Sequence, residues 1–301
     1  MIRIVFYTLF FFNVFLANGQ NGKLLSKVLI ELSPNSIGED LFRFAGDSLI
    51  DQYGYLYDVD LYDITYESDG LVVKGALLEP KRMGKFPAII FNRGGNRSYA
   101  TISAKRLVST SLAELASHGY VVISSNYREN DEYGGKDVND VLNLLETLKE
   151  VEKADIDRIG MYGWSRGGIM TYLALTKTDK IKTAVIGNAP SNLFDVVSER
   201  PMVEEKVLSE YIPDYWENKD EELKKRSVVY WAEELNKETS ILILSGTKDR
   251  RVNPKQADNI AEKLDELNYD FELRKFDTDH SFRSKQKELG ALLKKWFDQR
   301  L

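Results

Sequence analysis

The sequence feature that most constrains the fold of this chain is the motif Gly163-Trp164-Ser165-Arg166-Gly167, which follows an apolar run. The residues after it have helical spacing, so the serine is predicted to lie where a strand meets a helix. A serine on such a tight turn is called a nucleophile elbow. Its hydroxyl stands clear of the sheet, beside the N–H groups that open the helix. The motif therefore predicts that Ser165 is a nucleophile.

Three glycines surround this serine, and each has a predicted role. The sharp turn is expected to force unusual backbone angles on Gly163 and Gly167, which residues with a Cβ tolerate poorly. Gly168 is expected to let the helix pack closely against the strand that precedes it. A motif of three common residues also occurs by chance in unrelated chains, so its meaning depends on the rest of the sequence.

The remaining pattern predicts an α/β fold. Residues 68–70 separate two alternating segments and indicate a hairpin. Further on, apolar runs alternate with helical patterns, which is typical of a mostly parallel sheet covered by helices on both faces. The predicted strands are 57–67, 70–78, 86–91, 120–124, 157–162, 182–187, 240–244 and 270–276, and the predicted helices are 102–118, 137–151, 168–176, 254–267 and 285–297.

One long segment, residues 189–236, interrupts the alternation between two strands. We call it the insertion. It is charged and rich in aromatic residues, namely Tyr211, Tyr215, Trp216, Tyr230 and Trp231. Two interpretations are open: a lid over an active site, or a helical excursion packed on the outside with the aromatic residues as anchors.

The first 19 residues have the layout of a secretory signal. Arg3 precedes an apolar core over residues 4–16, and small residues follow at Ala17 and Gly19, so cleavage is expected before Gln20. An uncleaved N-terminal anchor is the alternative. The sequence thus predicts an exported protein, periplasmic or secreted, with no stable membrane insertion after signal removal. Residues 20–301 are expected to form a single α/β-hydrolase domain.

Composition excludes several classes of function. The chain has no cysteine, which excludes disulfides, thiolate metal sites and a lipoprotein anchor. Its formal net charge of −6 is dispersed and leaves no basic stripe for nucleic acid. With only two histidines, His118 and His280, a histidine-built zinc site is disfavoured, and no metal or cofactor is predicted. His118 is interpreted as a helix cap or a surface residue.

A serine nucleophile needs a base, and the base needs an acid to orient it. In α/β-hydrolases the chain order is serine, acid, histidine. His280 is the only histidine after Ser165 and is therefore the predicted base. Asp249 follows the strand 240–244, and catalytic groups gather at the carboxyl ends of such strands, so it is the predicted acid. Asp277 and Asp279 are rivals because they neighbour His280.

The negative charge that develops on the attacked carbonyl oxygen must be met by hydrogen-bond donors. The backbone N–H of Arg166, directly after the nucleophile, is one predicted donor. The second is expected from the loop 92–95, where Arg93 and Gly94 are the candidates.

Several segments together carry a family resemblance, namely 162–168, 245–252, 279–282, 118–122, 126–128 and Asp140. They are similar to the prolyl oligopeptidase family, over roughly residues 86–301. The resemblance implies an α/β-hydrolase fold, peptide hydrolysis, and Ser165, Asp249 and His280 as nucleophile, acid and base.

Three departures from the family keep other substrates open. The chain has no room for the β-propeller that screens peptides in the family's peptidases. Arg93 stands where the family often has a tyrosine before two glycines, so the oxyanion donor there is a charged side chain or only a backbone group. Arg166 stands where a tyrosine is common. A small peptide is the predicted substrate, and a carboxylic or acylated sugar ester is the alternative. A binding protein without catalysis on the same scaffold is a further alternative.

Overall fold

A nine-stranded sheet organises the chain. The computed structural model describes residues 20–31, 44–45, 48–49, 51–97, 99–108 and 110–301. The predicted secretory signal, residues 1–19, lies outside the described residues and stays a prediction. In chain order the strands are β1 (Leu24–Leu29), β2 (Phe44–Ala45), β3 (Ser48–Leu49), β4 (Val59–Ser68), β5 (Leu71–Pro80), β6 (Phe86–Asn92), β7 (Val121–Ser125), β8 (Ala154–Trp164), β9 (Ile181–Gly187), β10 (Ser240–Gly246) and β11 (Phe271–Phe276).

The order across the sheet is β1-β4-β5-β7-β6-β8-β9-β10-β11, while β2 and β3 pair only with each other. Neighbours from β7 to β11 are parallel, and the pairs from β1 to β7 are antiparallel. The mostly parallel sheet predicted from the alternation is therefore confirmed. All the parallel strands end at one edge of the sheet, and that edge carries the predicted site.

At the antiparallel edge of the sheet, the β4–β5 hairpin was predicted from the sequence and strand β1 was not. Asp69 (φ 52°) and Gly70 (φ 76°) form a two-residue turn between β4 and β5, as the hairpin signal predicted. Strand β1 pairs with β4 but falls in a stretch with no predicted element. Its apolar residues Leu25, Val28 and Leu29 are exposed, so the strand lacks the alternation that reveals a half-buried strand.

The five predicted helices are present in the described chain, with one division, and four further helices lie in the insertion. The predicted helix 102–118 is two helices, because Ser103 and Thr110 each act as an N-cap and their side chains accept from the N–H groups of Arg106 and Leu112. The helices are α1 (Ala104–Leu107), α2 (Ser111–Ser117), α3 (Val138–Thr147), α4 (Arg166–Leu175), α5 (Leu193–Glu199), α6 (Pro201–Val203), α7 (Ser209–Tyr211), α8 (Lys219–Lys225), α9 (Lys255–Glu266) and α10 (Gln286–Asp298).

His118 is the exposed C-cap residue of α2, which confirms its interpretation from sequence. In the described ranges we find no helix with both the length and the apolar content that a membrane crossing requires.

Helices cover both faces of the sheet because successive strand residues point to opposite sides. On β6, Ile90 packs into the core shared with Leu144 of α3, and its neighbour Ile89 packs into the core shared with Leu112 of α2 and Leu289 of α10. The two cores clamp the parallel strands and hold their carboxyl ends in fixed relative positions.

The insertion contains α5 to α8 and has a small apolar core of its own. This core includes Leu208 and Tyr215 and packs on Ile169 of α4. Of the predicted aromatic anchors, Tyr211, Tyr215 and Trp231 are buried, and Trp216 and Tyr230 are exposed. Three of the five are thus buried, as anchors would be, and both interpretations of the insertion stay predictions.

Candidate active site

Ser165 lies between the end of β8 and the start of α4 in a strained conformation, with φ 56° and ψ −124°. A non-glycine residue in this region costs on the order of 1–3 kcal/mol. Two hydrogen bonds hold it there. The Ser165 N–H donates to the carbonyl of Gly187 at the end of β9 (2.8 Å), and the N–H of Gly168 donates to the carbonyl of Ser165 (2.8 Å).

The glycines of the motif are needed because other parts of the chain lie too close to them to leave room for a Cβ atom. The expectation that unusual backbone angles require Gly163 and Gly167 is wrong, because neither has a positive φ. A Cβ on Gly167 would lie 1.9 Å from the carbonyl oxygen of Asn92, and one on Gly163 would lie 2.3 Å from the carbonyl oxygen of Gly167. Gly168 also packs closely, but next to β9 and not against the preceding strand, since a Cβ there would lie 2.2 Å from Cβ of Ala189 and 2.9 Å from Ile186 of β9.

His280 and Asp249 are in direct contact. The Nδ1 atom of His280 lies 2.6 Å from Oδ2 of Asp249, and both residues are buried. The other carboxylate oxygen of Asp249 accepts from the backbone N–H groups of Arg251 (2.7 Å) and Val252 (3.0 Å). The carboxylate is therefore fixed by its own loop while it faces the imidazole ring.

The two rival carboxylates have other partners. Asp277 is exposed and pairs with Lys248 at 2.8 Å, and this hydrogen bond with its positive charge lowers the pKa of Asp277. Asp279 accepts from the N–H of Ser281 (3.1 Å) and stabilises the local turn. Of the three candidates, Asp249 is the one that the structure brings to His280.

Two residues that sequence reasoning missed hold the His280 loop. The carbonyl of His280 accepts from Nε1 of Trp164 (3.1 Å) and from Nδ2 of Asn188 (2.9 Å). The side-chain oxygen of Asn188 accepts in turn from the N–H of Gly246, at the end of β10 (2.8 Å). Trp164 and Asn188 lie where β8 and β9 end, so their position at strand ends is the signal that could have identified them.

The loop 92–95 lies against the nucleophile. A Cβ on Gly94 would lie 3.0 Å from Cβ of Ser165 and 2.9 Å from the carbonyl oxygen of Trp164, so only glycine allows this approach. On the other side, Arg166 opens α4, and the first N–H groups of a helix have no acceptor within it. The structure thus brings both predicted oxyanion segments next to Ser165.

The side chain of Arg93 shapes this loop. It is buried; Nη1 donates to the carbonyls of Gly94 (3.0 Å) and Asn96 (2.9 Å), and Nη2 donates to that of Asn126 (2.8 Å). The guanidinium also lies 4.9 Å from the ring centre of Tyr127. Burial lowers the pKa of Arg93. Because both Nη atoms bind loop carbonyls, the backbone is the more suitable oxyanion donor at this position.

The side chain of Arg166 is in an ion cluster that the sequence did not predict. It is fully buried, and Nη2 contacts Oδ1 of Asp131 (2.6 Å) and Oδ2 of Asp137 (2.8 Å). The guanidinium also lies over the rings of Tyr133 (4.6 Å) and Tyr127 (5.0 Å). Burial acts to lower the pKa of Arg166, but the two carboxylates outweigh it and raise the pKa above its ordinary value.

Asp140, one of the residues that carry the family resemblance, is in a separate buried ion pair. Its carboxylate accepts from Nη2 of Arg128 (2.7 Å) and from the hydroxyl of Ser68 (2.5 Å). Burial raises the pKa of Asp140, and the hydrogen bond from Arg128 opposes this effect. The pair joins α3 to the segment after β7, and Ser68 and Asp69 connect it to the β4–β5 hairpin, so its contacts are structural.

A cavity of about 660 Å³ opens at this edge of the sheet. Asp249 does not line this cavity, but it contacts His280, which does. Val196 and Val203 of the insertion form part of one wall. Its size suits a small ligand or a short peptide segment. Five predicted site residues line it: Ser165, His280, Arg166, Arg93 and Gly94.

The fold and the strained serine between β8 and α4 define an α/β-hydrolase. The model of the prolyl oligopeptidase family matches residues 108–301, which is more than half of the chain. The chain therefore belongs to the prolyl oligopeptidase family, and it is a serine hydrolase.

Individual relatives agree with this assignment. The chain is 28% identical over 252 residues to the uncharacterized peptidase YtmA of Bacillus subtilis (strain 168), covering 80% of this chain and 95% of that one. It is 29% identical over 260 residues to the uncharacterized peptidase YuxL of the same strain, covering 77% of this chain and 38% of that one. The acylaminoacyl peptidase of Pyrococcus horikoshii has the same fold, with a TM-score of 0.70 at 22% identity, and the match covers 84% of this chain and 44% of that structure.

Proposed function

We propose that this chain is a serine peptidase in which Ser165, His280 and Asp249 act as nucleophile, general base and orienting acid. One observation carries the proposal. Nδ1 of His280 lies 2.6 Å from Asp249, and His280 lines the same cavity as the strained Ser165. A base that is oriented on one nitrogen has its other nitrogen available for a proton in the cavity.

The chemistry follows from these positions. The Ser165 hydroxyl oxygen bonds to the substrate carbonyl carbon while Nε2 of His280 takes its proton. The carbonyl oxygen becomes negative and is met by backbone N–H groups at Arg166 and in the loop at Gly94. His280 then gives its proton to the leaving amine as the carbon–nitrogen bond breaks, which leaves an acyl-enzyme. Water hydrolyses the acyl-enzyme by the same proton transfers.

Peptides are the favoured substrates because the relatives that cover most of this chain are named as peptidases. The same three groups would also cleave an ester, which has a better leaving group. The two activities therefore need to be measured side by side on one preparation of the protein.

A fluorophosphonate probe tests the nucleophile, and paired substrates test the reaction. We expect one label per chain, on the peptide that contains Ser165, and turnover of short blocked peptide anilides as well as short-chain aryl esters. Labelling at another residue would refute the role of Ser165. Fast ester cleavage with no cleavage of any peptide would refute the peptidase proposal and leave an esterase.

The Asn188→Ala substitution is expected to lower kcat by about tenfold, with a smaller change in KM. The alanine removes a donor to the His280 carbonyl and an acceptor for the Gly246 N–H, so the imidazole loses part of its support. Losing buried hydrogen bonds of this kind costs about 1–3 kcal/mol. Steady-state kinetics and thermal unfolding on the same preparation measure the two effects separately.

The Trp164→Phe substitution is a companion variant, since it removes the second donor to the same carbonyl and keeps an aromatic ring next to Phe282. We expect kcat to fall in the same direction. If Asn188→Ala lowers the melting temperature but leaves kcat unchanged, Asn188 has a structural role only.

A further inference from the structure

We propose that the cavity selects substrates with a carboxylate close to the scissile bond, such as a glutamate side chain, and that Arg200 and Arg251 bind this carboxylate. This inference rests on the proposed function, because it names a substrate class for the same site. The catalytic steps described above give no role to the side chains of Arg200 and Arg251.

The cavity has one sign of charge. Within the described part of the chain, no aspartate or glutamate is among its lining residues; Asp131 and Asp137, which pair with Arg166, lie outside that lining. The protein as a whole has a formal net charge of −6, so the cavity has the opposite sign to its surroundings. A concave site lined by one sign of charge concentrates ligands of the other sign. The lining arginines are Arg93, Arg106, Arg166, Arg200 and Arg251.

Three of these arginines are already occupied. Arg93 binds loop carbonyls, and Arg166 is neutralised by two buried carboxylates. Arg106 donates to the carbonyl of Thr101 at 2.8 Å. The remaining two, Arg200 and Arg251, are exposed. Nη1 of Arg200 donates to one backbone carbonyl, and neither arginine has an ion-pair partner within the described ranges.

Arg200 and Arg251 are adjacent although they come from different segments. Nη1 of Arg200 donates to the backbone carbonyl of Arg251 at 2.5 Å, which links the end of α5 to the Asp249 loop. The carboxylate of Glu199, the nearest acid along the chain, instead accepts from Asn253 at 2.7 Å. The Arg200 guanidinium thus lies at the backbone of Arg251, and neither arginine has a carboxylate partner in the described ranges, so a bound anion would supply the missing counter-charge.

The chemistry of the two groups favours a carboxylate. An arginine presents a planar fork of donors that matches the two oxygens of a carboxylate, and such hydrogen bonds are stronger than neutral ones. Val196 and Val203 line the same cavity and can cover the methylene groups of an acidic side chain. Arg251 is two residues from Asp249, so a carboxylate held there is close to the catalytic groups.

Matched peptides test the proposal. We would measure kcat/KM of the full chain on blocked peptides in Glu and Gln pairs, with the variable residue one or two positions before the cleaved bond or one after it. For at least one position we expect Glu to exceed Gln by about 10- to 100-fold, as for a hydrogen bond to a charged group. The preference should decrease in 0.5 M NaCl because exposed charges are screened.

Variants assign the preference to the arginines. Arg200→Gln is expected to lower the Glu/Gln ratio at least fivefold, and Arg200→Lys is expected to retain part of it. Arg250→Gln is the matched control, because it removes the same charge from the neighbouring exposed residue that does not line the cavity. Its ratio should equal that of the unsubstituted chain.

The outcomes separate this inference from the proposed function. If Gln peptides are cleaved and the Glu/Gln ratio is near one at every position, the carboxylate proposal is refuted while the peptidase proposal stands. If Arg200→Gln and Arg250→Gln lower the Glu/Gln ratio equally, the carboxylate proposal is also refuted. The overall positive charge near the cavity would then explain the preference without direct binding by Arg200. If no peptide of either kind is cleaved, both proposals are refuted.

Discussion

The Asp249→Asn substitution is expected to lower kcat/KM by about 10⁴-fold while the protein remains folded. In the unsubstituted chain, Oδ2 of Asp249 accepts a hydrogen bond from Nδ1 of His280 at 2.6 Å. An amide nitrogen in that place would donate to Nδ1, so the imidazole would carry its proton on Nε2 instead. That tautomer cannot take the proton of Ser165. The amide oxygen would still accept from Arg251 and Val252, which preserves the loop.

Steady-state kinetics and the rate of fluorophosphonate labelling measure this effect, and circular dichroism checks the fold. Asp277→Asn is the matched control, because Asp277 lies three residues before His280 but is exposed and pairs with Lys248. We expect it to change kcat/KM by less than about twofold, as for most surface substitutions. If the two variants lose activity equally, or if Asp249→Asn stays active, Asp249 is not the orienting acid.

The parallel sheet and its order of elements could be predicted because each element carries its own local signal. Apolar runs marked strands such as β6 and β10, and helical spacing marked α9 and α10. Asp249 was placed by the rule that catalytic groups follow buried parallel strands, and the contact with His280 at 2.6 Å is consistent with it. The rule needs only the position of a strand end, which is a property of the local sequence.

Other features could not be predicted because they depend on contacts between distant segments. The need for glycine at Gly167 comes from the carbonyl of Asn92, 75 positions earlier in the chain. Asn188, which follows β9, bonds both to His280, after β11, and to Gly246, at the end of β10. In both cases the residue type is common, and only the folded arrangement shows what it contacts.

Arg166 illustrates this limit most clearly. Sequence reasoning gave it a role through its backbone N–H, since it follows the nucleophile. Its side chain is turned away into a buried cluster with Asp131 and Asp137. Those carboxylates also fix the loop that contains them, because Asp137 accepts from the N–H of Gly135 (2.8 Å) and Asp131 from that of Tyr133 (3.2 Å). One arginine therefore balances two buried negative charges directly beside the elbow.

The Arg166→Met substitution is expected to lower the free energy of unfolding by about 3–5 kcal/mol, the usual cost of leaving a buried charge without its partner. Methionine fills much of the volume and keeps the backbone N–H, so the loss comes from the uncompensated carboxylates Asp131 and Asp137. Urea denaturation followed by fluorescence measures it. Arg158→Met is the matched control, because its ion pair with Asp155 is partly exposed and should contribute less than about 1 kcal/mol.

A rescue experiment separates charge from packing in this cluster. Adding Asp131→Asn and Asp137→Asn to Arg166→Met removes both uncompensated charges, while the amide oxygens can still accept from the N–H groups of Gly135 and Tyr133. We expect the triple variant to be more stable than Arg166→Met alone, since neutral groups are far less costly to bury than charged ones. If it is less stable, the carboxylates contribute through packing and hydrogen bonds, and Arg166 is not their counter-charge.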